Sequence, residues 1–204
     1  MQPLRQSFFA RNTITVAREL VGCLLEVETE EGKVSGRIVE VEAYEGESDP
    51  ASHAAKGRTS RSEIMFGPAG FAYVYLIYGI HHCLNFVTEA EGSPGAVLIR
   101  AVEPVSGREL MADRRGLDPE KADDRDLGAG PGRLCQALAL DRKWNGLPLF
   151  QGPGEPVSRE KGQIRVIPGD GPPGGPFATP RIGIRQATDR LHRFIDPRSA
   201  CVSG

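Results

Sequence analysis

The alternation of residue types over residues 34–44 constrains the fold more than any other feature of this 204-residue chain. Alternation with a period of two predicts a half-buried β-strand. One face of the predicted strand is apolar and carries Val39, Val41 and Ala43. The opposite face carries Ile38, Glu40, Glu42 and Tyr44. This second face fits either the solvated side of an antiparallel edge strand or a carboxylate placed beside an aromatic wall.

Short elements are predicted around this strand. Further strands are expected over residues 23–28, 71–78, 82–88, 96–102, 181–184 and 192–195. A first helix begins at Asn12 or Thr13 and ends before Gly22. Two more helices are expected over residues 106–114, capped by Ser106, and over residues 131–140, with Pro131 in the first turn.

Two tracts of the sequence predict loops. Residues 45–70 are polar, and a loop of that length inside a compact domain is usually functional. Fourteen of the 29 residues at 152–180 are Gly or Pro. That composition predicts a surface loop without a regular element.

Length and composition predict one domain, residues 1–204, in the cytoplasm. No run of eighteen apolar residues occurs, and the N-terminus lacks the apolar region of a signal peptide. The net charge of −2 argues against a broad grip on a polyanion. Arginines are concentrated in residues 181–204, where they form either a local basic face or a set of solvated surface side chains.

The four cysteines predict free thiols, because no C-x-x-C pair occurs and three of them have apolar neighbours. His81, His82 and Cys83 are consecutive, so in a strand their side chains would point to alternating faces. We therefore expect no metal site at that point.

All four tyrosines fall within 35 residues: Tyr44, Tyr73, Tyr75 and Tyr78. Residues 71–78 fit a core strand of high β-propensity, but their parity also allows a functional interpretation. Tyr75 can line a pocket, whereas Tyr78 has the opposite parity, precedes Gly79 and projects from the strand end. Tyr73 is assigned to packing.

Three polar residues fit either a structural or a site role. Asn85 lies in an apolar strand and is a structural hydrogen-bonding residue or a pocket-lining group. Arg100 ends an apolar strand, and if buried it needs an acidic partner such as Glu42. His53 in the long loop fits a plain surface position as well as a site.

Four ordered segments of the chain resemble one family. The first is GRIVEVEAY at residues 36–44, followed nine residues later by His53. The others are MFGPAGFAYVYLIYG at 65–79 with Asn85 beyond it, AVLIRAVEP at 96–104 and GPGRLCQAL at 130–138. Together they resemble the methylpurine (3-methyladenine, alkyladenine) DNA glycosylases, from residue 8 almost to the C-terminus. The resemblance implies a single α+β domain with a curved, mainly antiparallel sheet, a protruding β-hairpin and surrounding helices.

The resemblance also implies a reaction. Glu42 would be the general base that activates water, which Arg100 and the backbone carbonyl of Ile182 would help to hold. The enzyme would turn alkylated or deaminated purines out of duplex DNA and hydrolyse the N-glycosidic bond, leaving an abasic site. It would act as a monomer, as a monofunctional enzyme and without a cofactor or metal. Damaged double-stranded DNA would be its partner.

The remaining roles implied by the resemblance concern DNA. Five residues would contact the extruded base: Tyr44, His53, Tyr75, Asn85 and Leu98. Asn85 would crowd the purine 2-position, and Tyr78 would fill the gap that the base leaves in the duplex. His81 and His82 depart from the family, which carries aromatic residues there.

Two other functions are compatible with the same residues. A nucleic-acid-binding module could use the aromatic hairpin without cleaving a bond. A glycosidase of free nucleosides would use the same carboxylate without needing duplex DNA.

Overall fold

The computed structural model describes residues 2–150 and 162–204. The helices in this part of the chain are α1 (Gln6–Phe9), α2 (Thr13–Leu20), α3 (Arg108–Arg115), α4 (Asp124–Gly128) and α5 (Pro131–Ala137). The strands are β1 (Leu24–Thr29), β2 (Gly32–Tyr44), β3 (Ala72–Ile77), β4 (His81–Val87), β5 (Ala96–Ser106), β6 (Gln163–Ile167), β7 (Phe177–Thr179) and β8 (Arg193–Ile195).

The strands form one curled antiparallel sheet in the order β3-β4-β5-β2-β1-β6. Strand β8 pairs with the end of β2, and β7 pairs with β8 off the main path. The β3–β4 hairpin extends from the sheet, and its tip is exposed. The predicted α+β class and antiparallel sheet are confirmed.

Strand β2 lies in the centre of the sheet and is not an edge strand. The solvated-edge interpretation of its polar face is therefore wrong, because Glu40 and Glu42 are both 0% exposed. The pairing register slips between Ile38 and Glu40, where Val39 is an extra residue relative to β5. Such a β-bulge exchanges the faces that follow it.

The bulge also corrects the predicted division of apolar residues on β2. Ile38 packs in the main core with Val41 and Ala43, although strict alternation placed it on the opposite face. Val39 lies instead in a small cluster with Ala101 and Cys201. Alternation thus assigns the strand but not every side chain of it.

Helices cover one side of the sheet and complete the core. Helix α2 packs on β2 and β5, and α5 packs on β4 and β5. Large side chains at this boundary are fully buried, among them Phe9, Leu20, Leu25 and Phe86. Burying one such side chain stabilises the fold by about 1.5–3 kcal/mol. The Asn12 side chain accepts from the Thr15 amide at 3.2 Å, which confirms the predicted start of α2.

Two predicted helix boundaries are wrong. Ser106 does not cap α3, because it ends β5 and its hydroxyl hydrogen-bonds that of Ser35 at 2.7 Å. The N-cap is Gly107, whose φ of 72° favours glycine. Helix α5 ends at Ala137 rather than at Leu140.

The C-terminal part of the chain also differs from the prediction. Strands β6 and β7 lie inside the Gly- and Pro-rich tract, of which residues 152–161 lie outside the described residues. Strand β6 is free of Gly and Pro and pairs with β1, so averaging over 29 residues hid it. Residues 181–184 form no strand, because Gly183 has a φ of +74° and interrupts the extended backbone. The Arg181 side chain turns inward to Asp49.

All four cysteines are free thiols, as predicted, and all four are buried. None of the helices described here is long and apolar enough to cross a membrane.

Candidate active site

A cavity of about 540 Å³ opens between the β3–β4 hairpin, the ends of β2 and β5, and residues 182–186. Sites for small molecules usually enclose about 300–1,000 Å³. Of the nine residues to which the resemblance gives a role in catalysis or DNA contact, eight line it: Tyr44, His53, Tyr75, Tyr78, Asn85, Leu98, Arg100 and Ile182. The ninth, Glu42, lies directly behind that wall and contacts three of its members.

Glu42 is fully buried and held from three sides. Its Oε1 accepts from the Ile182 amide at 2.7 Å, and its Oε2 accepts from the Tyr44 hydroxyl at 2.8 Å. Arg100 Nη1 lies 3.4 Å from Oε1. Each carboxylate oxygen has two lone pairs, so these contacts leave acceptor capacity on Oε2. The side chain is fixed in position yet can still accept a hydrogen bond.

Arg100 occupies a second bulge, on β5. Glu40 pairs with Ala101 and Val41 pairs with Ile99, so Arg100 has no partner opposite it on β2. Its guanidinium contacts both carboxylates, and Nε donates to Glu40 Oε1 at 2.9 Å. The predicted contact with Glu42 is therefore present, and Glu40 is the closer partner. Burial disfavours the charge of Arg100, but Glu42 and Glu40 outweigh it and raise the pKa of Arg100.

Tyr44 forms part of the cavity wall and is fixed at both ends. Its hydroxyl donates to Glu42, and the Arg181 guanidinium lies 4.7 Å from its ring centroid. Arg181 is held in turn by Asp49, with Nη2 at 2.9 Å from Oδ1. Burial, and next the negative charge of Glu42, raise the pKa of Tyr44 well above its usual value. The hydroxyl therefore stays protonated and acts as a donor.

His53 is exposed and packs directly against Tyr75 in the wall of the cavity. The two rings are edge to face, with centroids 4.8 Å apart. Its Nδ1 is 2.9 Å from the hydroxyl of Tyr73, and either atom can donate. Partial loss of hydration, together with the charge of Arg61, lowers the pKa of His53 to about 4. The ring is therefore neutral near pH 7.

The floor of the cavity is mainly apolar and contains Asn85. This side chain is 3% exposed, and Nδ2 donates to the carbonyl of Tyr73 at 3.0 Å. It is both a structural hydrogen-bonding residue and a pocket-lining group, so the two interpretations are compatible. Leu98, which is 5% exposed, and Cys83 form the neighbouring surface.

Tyr78 lies at the hairpin tip and is 85% exposed, as its parity predicts. Its φ is +54°, a conformation that is uncommon for any residue except glycine. Such backbone strain concentrates at functional sites. Ile80, at 72% exposure, adds a second apolar side chain to the tip.

Sequence reasoning missed several residues that support the site. Tyr73 packs as predicted, but its hydroxyl also contacts His53. The Arg61 guanidinium lies 4.7 Å from the ring centroid of Tyr75. The Asp49–Arg181 pair joins residues 132 positions apart. Tyr73 shares its strand face with Tyr75, and this parity could have indicated that Tyr73 also belongs to the site. Nothing local in the sequence indicates the roles of Arg61 or of the Asp49–Arg181 pair.

The chain is similar to a well-populated family of proteins. The model of the family described as Methylpurine-DNA glycosylase (MPG) matches residues 7–200. Three similar proteins each carry the name "Putative 3-methyladenine DNA glycosylase". That of Rhodopseudomonas palustris strain HaA2 is 50% identical over 94% of this chain and 86% of its own. That of Methanocella arvoryzae is 44% identical, covering 100% and 96%, and that of Methanoculleus marisnigri is 47% identical, covering 98% of both.

Proposed function

The chain belongs to the methylpurine-DNA glycosylase family, whose members hydrolyse N-glycosyl bonds, and from this premise we propose a specific reaction. The enzyme removes 3-methyladenine and related alkylated or deaminated purines from duplex DNA. It turns the nucleotide out of the helix, and Glu42 activates the water that hydrolyses the N-glycosidic bond. The products are the free base and an abasic site, as in base excision repair.

The observation that carries this proposal is the position of Glu42 relative to the aromatic cavity. Its carboxylate is anchored by Tyr44 and Ile182, both of which line the cavity. A carboxylate so placed can take a proton from water and can stabilise the positive charge that develops on the sugar. In this mechanism Arg100 and the carbonyl of Ile182 hold the attacking water.

The aromatic wall explains how the base is held. Extruding a base from the duplex costs a few kcal/mol and is easiest for damaged or mispaired bases. Stacking on aromatic side chains contributes about 1–3 kcal/mol per base and offsets much of that cost. Tyr44, Tyr75 and His53 provide the contacts. Alkylation at N3 or N7 makes the purine cationic, so it stacks well on electron-rich rings and leaves readily.

Two further residues provide selectivity and access. Asn85 crowds the purine 2-position and rejects the amino group of normal guanine, because its amide is fixed by Tyr73. Tyr78 enters the gap that the base leaves, and its exposure at the hairpin tip suits that role.

The residues around the cavity favour a monofunctional enzyme. A glycosylase that also cleaves the strand needs an amine nucleophile that forms a Schiff base. Of the described residues that line the cavity, none is a lysine. Water activated by Glu42 is therefore the nucleophile in this proposal.

The test is excision of 3-methyladenine or hypoxanthine from duplex oligonucleotides by the Glu42→Gln variant. We expect the single-turnover rate to fall by roughly 10²–10⁴-fold, the usual contribution of a general base. Affinity for the lesion duplex should change little. The matched control is Glu103→Gln, since Glu103 also lies in the sheet but pairs with Arg37 at the surface.

Three results would contradict the proposal. Near-wild-type excision by Glu42→Gln would show that Glu42 is not the general base. Binding without release of any base by the unmodified enzyme would indicate a non-catalytic module. Turnover of free nucleosides with no preference for duplex DNA would indicate a nucleoside glycosidase.

A further inference from the structure

A second glutamate, Glu40, lies beside the proposed base and is also 0% exposed. Its Oε1 accepts from Arg100 Nε at 2.9 Å and from Arg193 Nε at 2.6 Å. Its Oε2 accepts from the Ser203 amide at 2.6 Å. Glu40 thus receives donors from β5, β8 and the C-terminal segment, and of these three partners Arg100 alone lines the cavity.

The two glutamates divide the contacts of Arg100 unequally. The bulge on β5 places Arg100 between them. Its Nε makes a hydrogen bond to Glu40, whereas its Nη1 stays 3.4 Å from Glu42. Charge-assisted hydrogen bonds are usually about 2.7–2.9 Å long. Glu40 therefore holds the guanidinium, and Glu42 interacts with it at longer range.

The C-terminal segment completes this arrangement. Arg100 Nη2 donates to the Ser203 hydroxyl at 3.2 Å, and Arg193 Nη2 donates to the Ser203 carbonyl at 2.6 Å. Arg193 Nη1 also donates to Thr179 on β7 at 3.2 Å. Both arginines that face Glu40 are thus fixed from a second side.

We propose that Glu40, supported by Arg193 and Ser203, is a positioning residue that holds Arg100 away from Glu42, so that the Glu42 carboxylate can accept a proton from water. This inference rests on the proposed function and deepens it. Glu40 touches neither the substrate nor the water. It acts through Arg100.

The charges explain why a second buried carboxylate is needed. Two carboxylates and two guanidiniums balance in this cluster, and a buried charge without a counterion is strongly unfavourable. Without the charge of Glu40, Arg100 would turn to Glu42 as its remaining carboxylate. A closely paired Glu42 would bind protons less readily and would lose the lone pairs that water needs.

Other charged and titratable groups also face Glu42. Tyr44 contacts it from β2, Arg181 approaches it from the segment before Ile182, and Cys83 approaches it from β4. Neither Tyr44 nor Cys83 carries charge near neutral pH, since burial raises the pKa of both. Arg181 is paired with Asp49. Of the charged neighbours of Glu42 named here, Arg100 is therefore the one that Glu40 holds in position.

The test is the pH profile of single-turnover excision by Glu40→Gln, with a hypoxanthine duplex as the probe. We expect the rate at pH 7 to fall by roughly 10–100-fold, the effect of moving a catalytic group by about 1 Å. We expect the acid side of the profile to move to lower pH, because Arg100 then stabilises the charged form of Glu42. Affinity for the duplex should stay within about twofold. A purely structural role would not move the pH profile.

A charge-balanced double variant keeps the test decisive if Glu40→Gln folds poorly. Glu40→Gln with Arg193→Gln removes one charge of each sign, and Arg100 again has only Glu42 as its counterion. We expect the same slow rate and the same shift of the profile. Wild-type rate and profile in the folded double variant would overturn the inference.

The outcome of Glu42→Gln separates this inference from the proposed function. If Glu42→Gln is inactive while the Glu40 variants match the wild type, only the positioning role of Glu40 fails. If Glu42→Gln is active, the proposed mechanism itself fails. Glu40→Asp keeps the charge, so it should keep the wild-type pH profile even if its shorter reach lowers the rate.

Discussion

Tyr44 and Tyr78 line the same cavity but are held in opposite ways. Tyr44 is largely buried, its hydroxyl bonds Glu42, and Arg181 packs on its ring. Tyr78 is 85% exposed at the tip of a hairpin, at a φ of +54°. The first residue belongs to a network of buried charges, and the second stands free of the core.

The contrast follows from what each position has to do. A residue beside the reacting bond must keep its geometry within a fraction of an ångström, and several anchors achieve that. A residue that enters a DNA helix must reach beyond the protein surface, so it cannot be buried. Changes near Tyr44 should therefore affect stability and chemistry together, whereas changes at Tyr78 should affect only the handling of DNA.

Asp49→Asn should have the largest effect on stability. It leaves Arg181 buried without its counterion, and breaking a buried pair costs about 3–5 kcal/mol. The free energy of unfolding from urea denaturation measures this loss. Asp118→Asn is the matched control, because its pair with Lys121 is exposed and contributes about 0–1 kcal/mol. Equal stability of the two variants would show that the buried Asp49–Arg181 ion pair does not stabilise the fold.

Tyr44→Phe tests the hydrogen bond between the aromatic wall and Glu42, the proposed general base. Removing the hydroxyl deletes a hydrogen bond to a charged group, which contributes about 1.5–3 kcal/mol. We expect single-turnover excision to fall by at least about tenfold, as Glu42 loses one of its anchors. Stacking should survive, so affinity for the lesion duplex should hold. A wild-type excision rate would mean that Ile182 and Arg100 suffice to fix Glu42.

The sequence could predict the parts of this comparison that depend on local pattern. Residues two apart on a strand share a face, which places Glu42 beside Tyr44. Parity and the following glycine indicate that Tyr78 projects. Polar tracts and capping residues likewise located the long loop and the start of α2.

The rest depends on long-range pairing that no local pattern contains. The bulges at Val39 and Arg100 are visible only in the register between β2 and β5, and they decide which side chains meet Glu42. The Asp49–Arg181 ion pair joins two loops that are far apart in the sequence. The same limit explains why local alternation is compatible with an edge position for β2. Besides β5, the strand that pairs with Glu40–Glu42 is β8, which comes from the last twelve residues of the chain.

Tyr78→Ala should affect excision but not the fold. Its side chain has little burial to lose, so the free energy of unfolding should change by less than about 0.5 kcal/mol. Excision from a well-paired duplex should fall by roughly tenfold, within the 1–3 kcal/mol of a stacking contact. Tyr78→Trp keeps an aromatic wedge and should keep the rate. If Tyr78→Ala excises as fast as the wild type, the hairpin tip does not enter the duplex.

His53 lies between the two extremes, since it is exposed but held by Tyr73, and it gives the smallest predicted effect. Its pKa is about 4 in the folded protein, below the ordinary value of 6.5. From pH 6.5 down to about 4 the unfolded chain therefore binds a proton on this ring that the folded protein does not, and the free energy of unfolding decreases. Solvent screening keeps that decrease small.

Urea denaturation at pH 7 and pH 5 measures the difference between the wild type and His53→Gln. The carboxylates titrate in both proteins. The additional decrease in the free energy of unfolding of the wild type between pH 7 and pH 5 therefore comes from protonation of the His53 imidazole. Equal losses would show that the ring is as free to take a proton as in the unfolded chain. His53 would then resemble Tyr78, which stands free of the core, and Tyr75 would be the last residue of the cavity wall that is fixed by its contacts.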